Sequence, residues 1–278
     1  MSDVTNAYNS AKTLPSPPPM QPVHFRAGGF APLGSRVGSM LALVLSILIW
    51  QLVSSVGKVS PLFLPSPLAI GSALYNLAIT GELWGHLATS LYRIGVGWLL
   101  GTCAGLLLGF AMGLWTVARA VGLAYVSALF PIPKIALLPL LILWLGIGET
   151  SKIATIALGV FFPTVISVYS GVDSVPRNLI RMAQSFNMPF VDIVRKVVLP
   201  GALPSILAGM RISTSFALLL VVSAEMIGAD RGIGTFILQA GNLMQTDNLL
   251  AGVVVLSILG LVVAKSISRI EEKLLRWR

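Results

Sequence analysis

The chain has 278 residues, 55% of them hydrophobic and only 10% charged. A water-soluble domain carries about 25% charged residues, so this composition excludes water as the principal solvent and points to a bilayer. The formal net charge of +9 raises nucleic acid as a partner, but the cations follow a membrane-topology pattern and no nucleic-acid role is expected.

Residues 1–33 are polar and proline-rich, with Pro15, Pro17, Pro18, Pro19, Pro22 and Pro32. Such a segment cannot bury enough apolar surface to offset its ordering, and a disordered tail is expected there. Residues 34–278 are expected to form one transmembrane domain. A spanning helix needs about 20 apolar residues, and six runs qualify: Val37–Val56, Leu87–Leu114, Val121–Leu145, Lys152–Gly171, Ile206–Ile227 and Asn248–Ile267. The first starts too late for a signal peptide and lacks a small-residue cleavage site, so it reads as a retained span.

After the first run, Leu64-Pro65-Ser66-Pro67 breaks the chain, and LAIGSALYNLAITG follows with apolar residues at helical spacing. That run is too short to cross and reads as an external helix at the membrane interface. Trp84 and Tyr92 stand where aromatic side chains mark a bilayer boundary. The second run carries glycine at every fourth position: Gly97, Gly101, Gly105, Gly109 and Gly113. A stripe without side chains lets another helix approach closely, and dispersion contact is the main attraction between helices in lipid. Both packing within one subunit and a seam between two subunits fit, the first being the more ordinary.

Pro131, Pro133 and Pro139 interrupt the third run. Each removes a backbone donor and disfavours helix in the residue before it. Irregular backbone at membrane depth is tolerated only inside protein or beside a watery cavity, so a broken span facing the bundle interior is expected. Lys134 sits at the break, suited either to pairing with backbone carbonyls or to a substrate path.

With the N-terminus in the cytoplasm, the inner regions collect Lys12, Arg26, Arg36, Arg119, Arg177, Arg181, Arg195, Lys196, Lys265, Arg269, Lys273, Arg276 and Arg278. Lys58, Lys152 and Arg231 fall outside. This is the positive-inside bias, and it predicts a multi-pass protein of the plasma (inner) membrane with both termini cytoplasmic. Chemistry is sparse. The phosphate-loop pattern is missing, His24 and His86 stand apart, Cys103 is alone, and no nucleophile has a base nearby in sequence. No catalytic residue, cofactor site or metal site is expected. Ionisable residues inside spans are expensive and functional by default. They make Arg93, Lys134, Arg211 and Glu225 the candidate pathway or gate residues, with Arg93 and Glu225 able to pair at the outer end.

Between the fourth and fifth runs, residues 176–200 are polar and basic. Pro176 to Ser185 predicts a short helix, Asn187 a bend in the left-handed conformation, and MPFVDIVRKVV from Met188 a second helix with Asp192 facing Arg195 and Lys196. Leu199-Pro200 is expected to end it, the next helix starting near Pro204. Basic amphipathic helices of this kind suit either a groove on a soluble partner or anionic lipid, and the residues alone leave both open.

This segment resembles the coupling loop of ABC importer permeases, whose pattern is Glu-Ala-Ala, three residues, Gly, nine residues, Ile, one residue, Leu-Pro. Aligned on Leu199-Pro200, Ala183, Leu199 and Pro200 match, Asn187 and Val197 replace Gly and Ile, and Arg181 and Met182 stand in place of Glu and the first Ala. LPSP at 64–67, GELWGHLATSLYRIGVGW at 81–98, PIPKIALLPLLILWLGIGE at 131–149, LPGALPSILAGMRI at 199–212 and AEMIGADRGIG at 224–234 resemble the nitrate/sulfonate/taurine group of these permeases. The resemblance implies an all-α integral membrane fold with six transmembrane helices, the type I importer (MetI-like) architecture. It implies a homodimer of permease subunits, two cytoplasmic ATPase subunits that bind the ATP, and a periplasmic or lipid-anchored substrate-binding protein. Arg181, Ala183, Asn187, Val197, Leu199 and Pro200 would be the ATPase-coupling residues. The implied cargo is a small anion of the sulfonate, taurine or nitrate kind, with a neutral or heteroaromatic precursor as an alternative. An ion-gradient-driven transporter is the competing class, against which stand the lack of duplicated halves and of a membrane-centre acid.

Overall fold

The computed structural model describes residues 36–56 and 60–276, and every regular element among them is helical. Two compact units divide the chain, Met1–Ile49 and Trp50–Arg278. Of the first, only the opening part of α1 (Arg36–Ser55) is described, and its residues from Gly38 to Ile49 are exposed. The proline-rich tail expected to be disordered lies outside the described residues, as does Lys58.

The second unit begins within the last turns of α1. Ser66 then caps α2 (Pro67–Ile79), its hydroxyl accepting from the Ala69 amide at 3.1 Å with Pro67 in the first turn. Ile70, Ala73 and Leu77 of α2 are buried with Phe236 and Ala251. The apolar stripe of this short helix therefore packs on protein. Next come α3 (Glu82–Leu114), α4 (Thr116–Leu129), a 3₁₀ turn (Lys134–Leu137), α5 (Leu138–Leu145) and α6 (Glu149–Asp173). They are followed by α7 (Arg177–Ser185), α8 (Phe190–Ile193), a π-helical turn (Val194–Val198), α9 (Leu199–Met226), α10 (Ile233–Asn242) and α11 (Thr246–Leu274).

Residues 38–55, α3, α6, Phe190–Met226 and α11 are each long and apolar enough to cross a membrane. A sixth crossing is supplied if α4 and the Lys134–Leu145 helices count as one span, bent by 86°. The bend falls at Pro131 and Pro133, while Pro139 sits in the first turn of α5, where its missing donor costs nothing.

The fifth crossing departs from expectation. Leu199-Pro200 does not end a helix; the chain stays helical from Phe190 to Met226. The cause is the π turn, in which the Leu199 amide reaches back to the Val194 carbonyl. In a regular α-turn the Pro200 ring would press on the Lys196 carbonyl, and one wider turn moves that carbonyl aside.

α6 is gripped between α3 and α9. A Cβ built on Gly97, Gly105, Gly109 or Gly113 of α3 would stand 2.6 to 2.7 Å from Ile156, Thr164, Val168 or Val172 of α6, and one on Gly101 would meet the Ala157 carbonyl and Val160. The two series advance together, four residues at a time, so the helices run parallel and in register. The glycine stripe is thus filled by packing within this chain. On the opposite side of α6, Gly159 receives Leu220, and Ser167 packs where Gly209 leaves space.

The seam predicts a size limit. Gly109→Ala should overpack it and destabilise the protein by about 1–3 kcal/mol, and Val168→Ala in the same chain should recover part of the loss. Thermal unfolding in detergent checks this; equal stability of Gly109→Ala and the parent would mean that the helices are not in close contact.

Candidate functional site

The α3–α6 register brings charge together at one end of the bundle. One step beyond Gly97, it sets Arg93 beside the first turn of α6. Arg93 is 2% exposed, a burial that is costly unless the charge is paired and hydrogen-bonded. Its Nε donates to Glu149 Oε2 at 2.7 Å and Nη2 to Glu149 Oε1 at 2.6 Å. Nη1 donates to Glu225 Oε1 at 2.9 Å and to the Arg231 carbonyl at 2.7 Å. A guanidinium forked onto one carboxylate and bonded singly to a second is thereby held in one orientation.

Glu225, at the end of α9, is buried completely as a side chain. Oε1 also accepts from the Ser90 hydroxyl at 2.7 Å, and Oε2 accepts from the Gly234 amide at 2.9 Å. Ser90 in turn accepts from the Ile233 amide, and His86 Nδ1 lies 3.1 Å from the Gly232 nitrogen and 2.9 Å from its oxygen. The loop between α9 and α10 is therefore pinned to α3 by backbone as well as side chains. Gly232 has φ of 138°, and a Cβ there would overlap the Glu225 carboxylate, so only glycine fits.

Sequence reading finds Arg93 and Glu225 but misses Glu149, Ser90 and the Gly232–Gly234 amides. The missed acid closes PIPKIALLPLLILWLGIGE, and the glycines belong to AEMIGADRGIG, so the signal was a charge and turn residues at span ends. Lys152, counted from sequence as a loop cation, is 5% exposed within α6 and donates to the Gly148 carbonyl at 2.9 Å.

Lys134 and Arg211 do not join this cluster. Lys134 Nζ donates to the carbonyls of Leu129, Phe130 and Ile132 at 2.8, 3.1 and 2.7 Å, and lies 4.4 Å from the Phe162 ring centre. All three ammonium protons are thus occupied at the break in the bent span, beside a cavity of about 280 Å³ that Gly159, Phe216 and Leu220 help line. Arg211 forms an ion pair with Glu271 of α11. Among the described residues no group of three or more His, Cys, Asp or Glu side chains could hold a metal ion.

At the opposite end, about 30 Å along α3 from Arg93 to Gly113, lies the 177–200 segment. Ala183 is buried with Val168, Val172, Ile193 and Val198, and Ile180 of α7 packs against the same cluster. Asn187 turns the chain at φ of 52°. Arg181 is exposed, as is Leu199, while Val197 and Pro200 are half-buried. Leu179, Met182, Phe186, Phe190 and Val191 stand exposed on the same segment, flanked by Arg177, Arg181 and Arg195. Lys196 is paired with Asp192 at 3.0 Å.

Residues 101–276 match the family model described as binding-protein-dependent transport system inner membrane component. The chain is 36% identical over 252 residues to the taurine transport system permease protein TauC of Escherichia coli, covering 88% of this chain and 92% of that one. It is 37% identical over 246 residues to the aliphatic sulfonates transport permease protein SsuC of Bacillus subtilis, covering 87% and 89%. Among solved structures it is similar to a chain of the MetNI methionine ABC transporter in an inward-facing conformation, with 25% identity and a TM-score of 0.60, covering 69% of this chain and 95% of that one.

The buried triad predicts strong coupling. Arg93→Ala should cost about 3–5 kcal/mol by leaving Glu225 unpaired in the interior, and adding Glu225→Ala should restore part of it. Folded yield and unfolding temperature of the single and double variants check this; additive losses would mean that the two side chains act independently.

Proposed function

Because this chain belongs to the family of binding-protein-dependent transport inner membrane components, a permease component of an ABC importer, we propose that it forms the membrane pathway of an ATP-driven uptake system for aliphatic sulfonates or taurine-like anions. It works as a homodimer above two ATPase subunits that bind the ATP, and receives its cargo from a separate binding protein on the outer face. The 177–200 segment and both termini are cytoplasmic. The substrate class follows the names of the relatives matched along most of the chain.

The observation that carries the mechanism is the unbroken helix from Phe190 to Met226. Its first turns belong to the exposed apolar and basic surface, and its last turn carries Glu225. An ATPase closing on ATP moves that surface, and the movement is delivered along one rigid rod to the far end of the bundle. Arg181, Ala183, Asn187, Val197, Leu199 and Pro200 serve this coupling in different ways. Arg181 meets the partner, Ala183 locks α7 to the core, Asn187 sets the angle between α7 and α8, and Val197, Leu199 and Pro200 join the surface to the rod. No cofactor is bound by the chain itself.

Uptake of labelled taurine and an alkanesulfonate into vesicles holding the full importer tests the function. It should require ATP and the binding protein; uptake driven by an ion gradient without ATP would overturn it. Met182→Asp and Val191→Asp place charge on exposed positions and should weaken ATPase association about 30-fold, equivalent to ~2 kcal/mol. Val197→Asp and Leu199→Gly should leave the protein in the membrane but uncouple ATP hydrolysis from uptake. Normal coupled uptake in both would remove the segment from that role.

A further inference from the structure

The Arg93 cluster is lopsided. Glu225 is buried and bound by Ser90, Gly234 and Arg93 together. The Glu149 side chain is 50% exposed, and among the described residues its carboxylate rests on the Nε and Nη2 edge of Arg93 alone. Moving Glu225 would leave a buried hydroxyl and amide without their acceptor. Moving Glu149 turns a half-hydrated carboxylate into water and leaves the Nε and Nη2 donors of Arg93 to whatever displaces it. The second is far the cheaper.

Glu149 also stands at a joint. Immediately before it, Gly146-Ile147-Gly148 connects α5 to α6. Gly146 has φ of 84°, added Cβ atoms at Gly146 and Gly148 would touch nothing within 4 Å, and Ile147 is 84% exposed. The joint is held by the Glu149 clasp and by the Gly148 carbonyl, which accepts from Lys152 Nζ and from the Ser151 hydroxyl at 3.2 Å. The α5 side of the joint leads back to the bent span.

We propose that the Nε/Nη2 edge of Arg93 is a transit subsite for the anionic head of the cargo, which displaces the Glu149 carboxylate and frees the Gly146–Gly148 joint. The guanidinium fork accepts any oxyanion that offers two oxygens, a sulfonate as readily as a carboxylate. The exchange keeps Arg93 paired throughout. It also preserves the local balance, since a monoanion replaces the charge that Glu149 carries into water while Lys152 stays beside it. This inference rests on the reading of the cargo as an anion that enters at this end of the bundle.

A spin label on Ile147→Cys, in a Cys103→Ser background, reports the joint in the complete importer in lipid nanodiscs. Methanesulfonate is the probe, with potassium chloride at equal ionic strength and uncharged dimethyl sulfone as controls. Methanesulfonate alone should cause loss of the immobilised spectral component. Glu149→Ala should show that loss without any ligand and no further response; Glu149→Gln, which keeps the shape and removes the charge, serves if the alanine variant does not assemble. A label unmoved by methanesulfonate, moved equally by dimethyl sulfone, or unaltered by loss of the Glu149 carboxylate overturns the subsite. If ATP-dependent sulfonate uptake persists in that preparation, only the subsite falls. If sulfonate uptake is absent while another cargo is carried, the substrate reading falls with it.

Discussion

Close contact between α3 and α6 is the constraint on which the remaining structure depends. Two helices in lipid gain nothing from hiding apolar surface, because the tails are as apolar as leucine, so their attraction must come from dispersion at short range. Five glycines on α3 remove the side chains that would hold α6 away, and Ile156, Val160, Thr164, Val168 and Val172 fill the space. The match is repeated along nearly the whole length, which fixes axial register as well as distance. A register fixed in this way decides what meets at the ends. At one end it delivers Arg93 to Glu149; at the other, Val168 and Val172 reach the cluster that buries Ala183.

The charged triad and the exposed segment are therefore two ends of one frame. Glu225 and Val198 lie on the same continuous helix, and that helix packs along the other face of α6. Phe190 and Val191 are joined to Met226 by one continuous helix, whose local irregularities are the π turn and Pro204. The breaks in helix lie elsewhere, at the proline-rich bend after α4 and at Gly146. The bundle thus divides into a core of three continuous, closely packed helices, α3, α6 and Phe190–Met226, and a bent span.

Much of this was legible in the letters of the chain, for identifiable reasons. Spans show because bilayer thickness imposes length and apolarity on each run. The break in the third span shows because proline acts locally, and Asn187 shows because few residues adopt a positive φ. The Arg93–Glu225 pair could be named because two charges in lipid have few alternatives. Glu149 could not, since its role depends on a helical register that no local pattern reveals. The continuity of helix through Leu199-Pro200 was hidden for a related reason: proline signals a break, and the π turn that accommodates it has no composition of its own. Lys152 looked like a loop cation because its burial is created by the packing of neighbours distant in sequence.

That π turn has a further consequence. A regular α-helix turns about 100° per residue, so holding one extra residue within Val194–Val198 sets the azimuth of everything before it relative to everything after it. The direction in which Phe190 and Val191 point is thereby independent of the direction in which Glu225 points. Rewinding the same residues as regular α-helix would leave both flanking helices intact and every apolar position still apolar, yet swing the exposed face by roughly 100° around the axis. The turn acts as a phase setting between two surfaces that never touch.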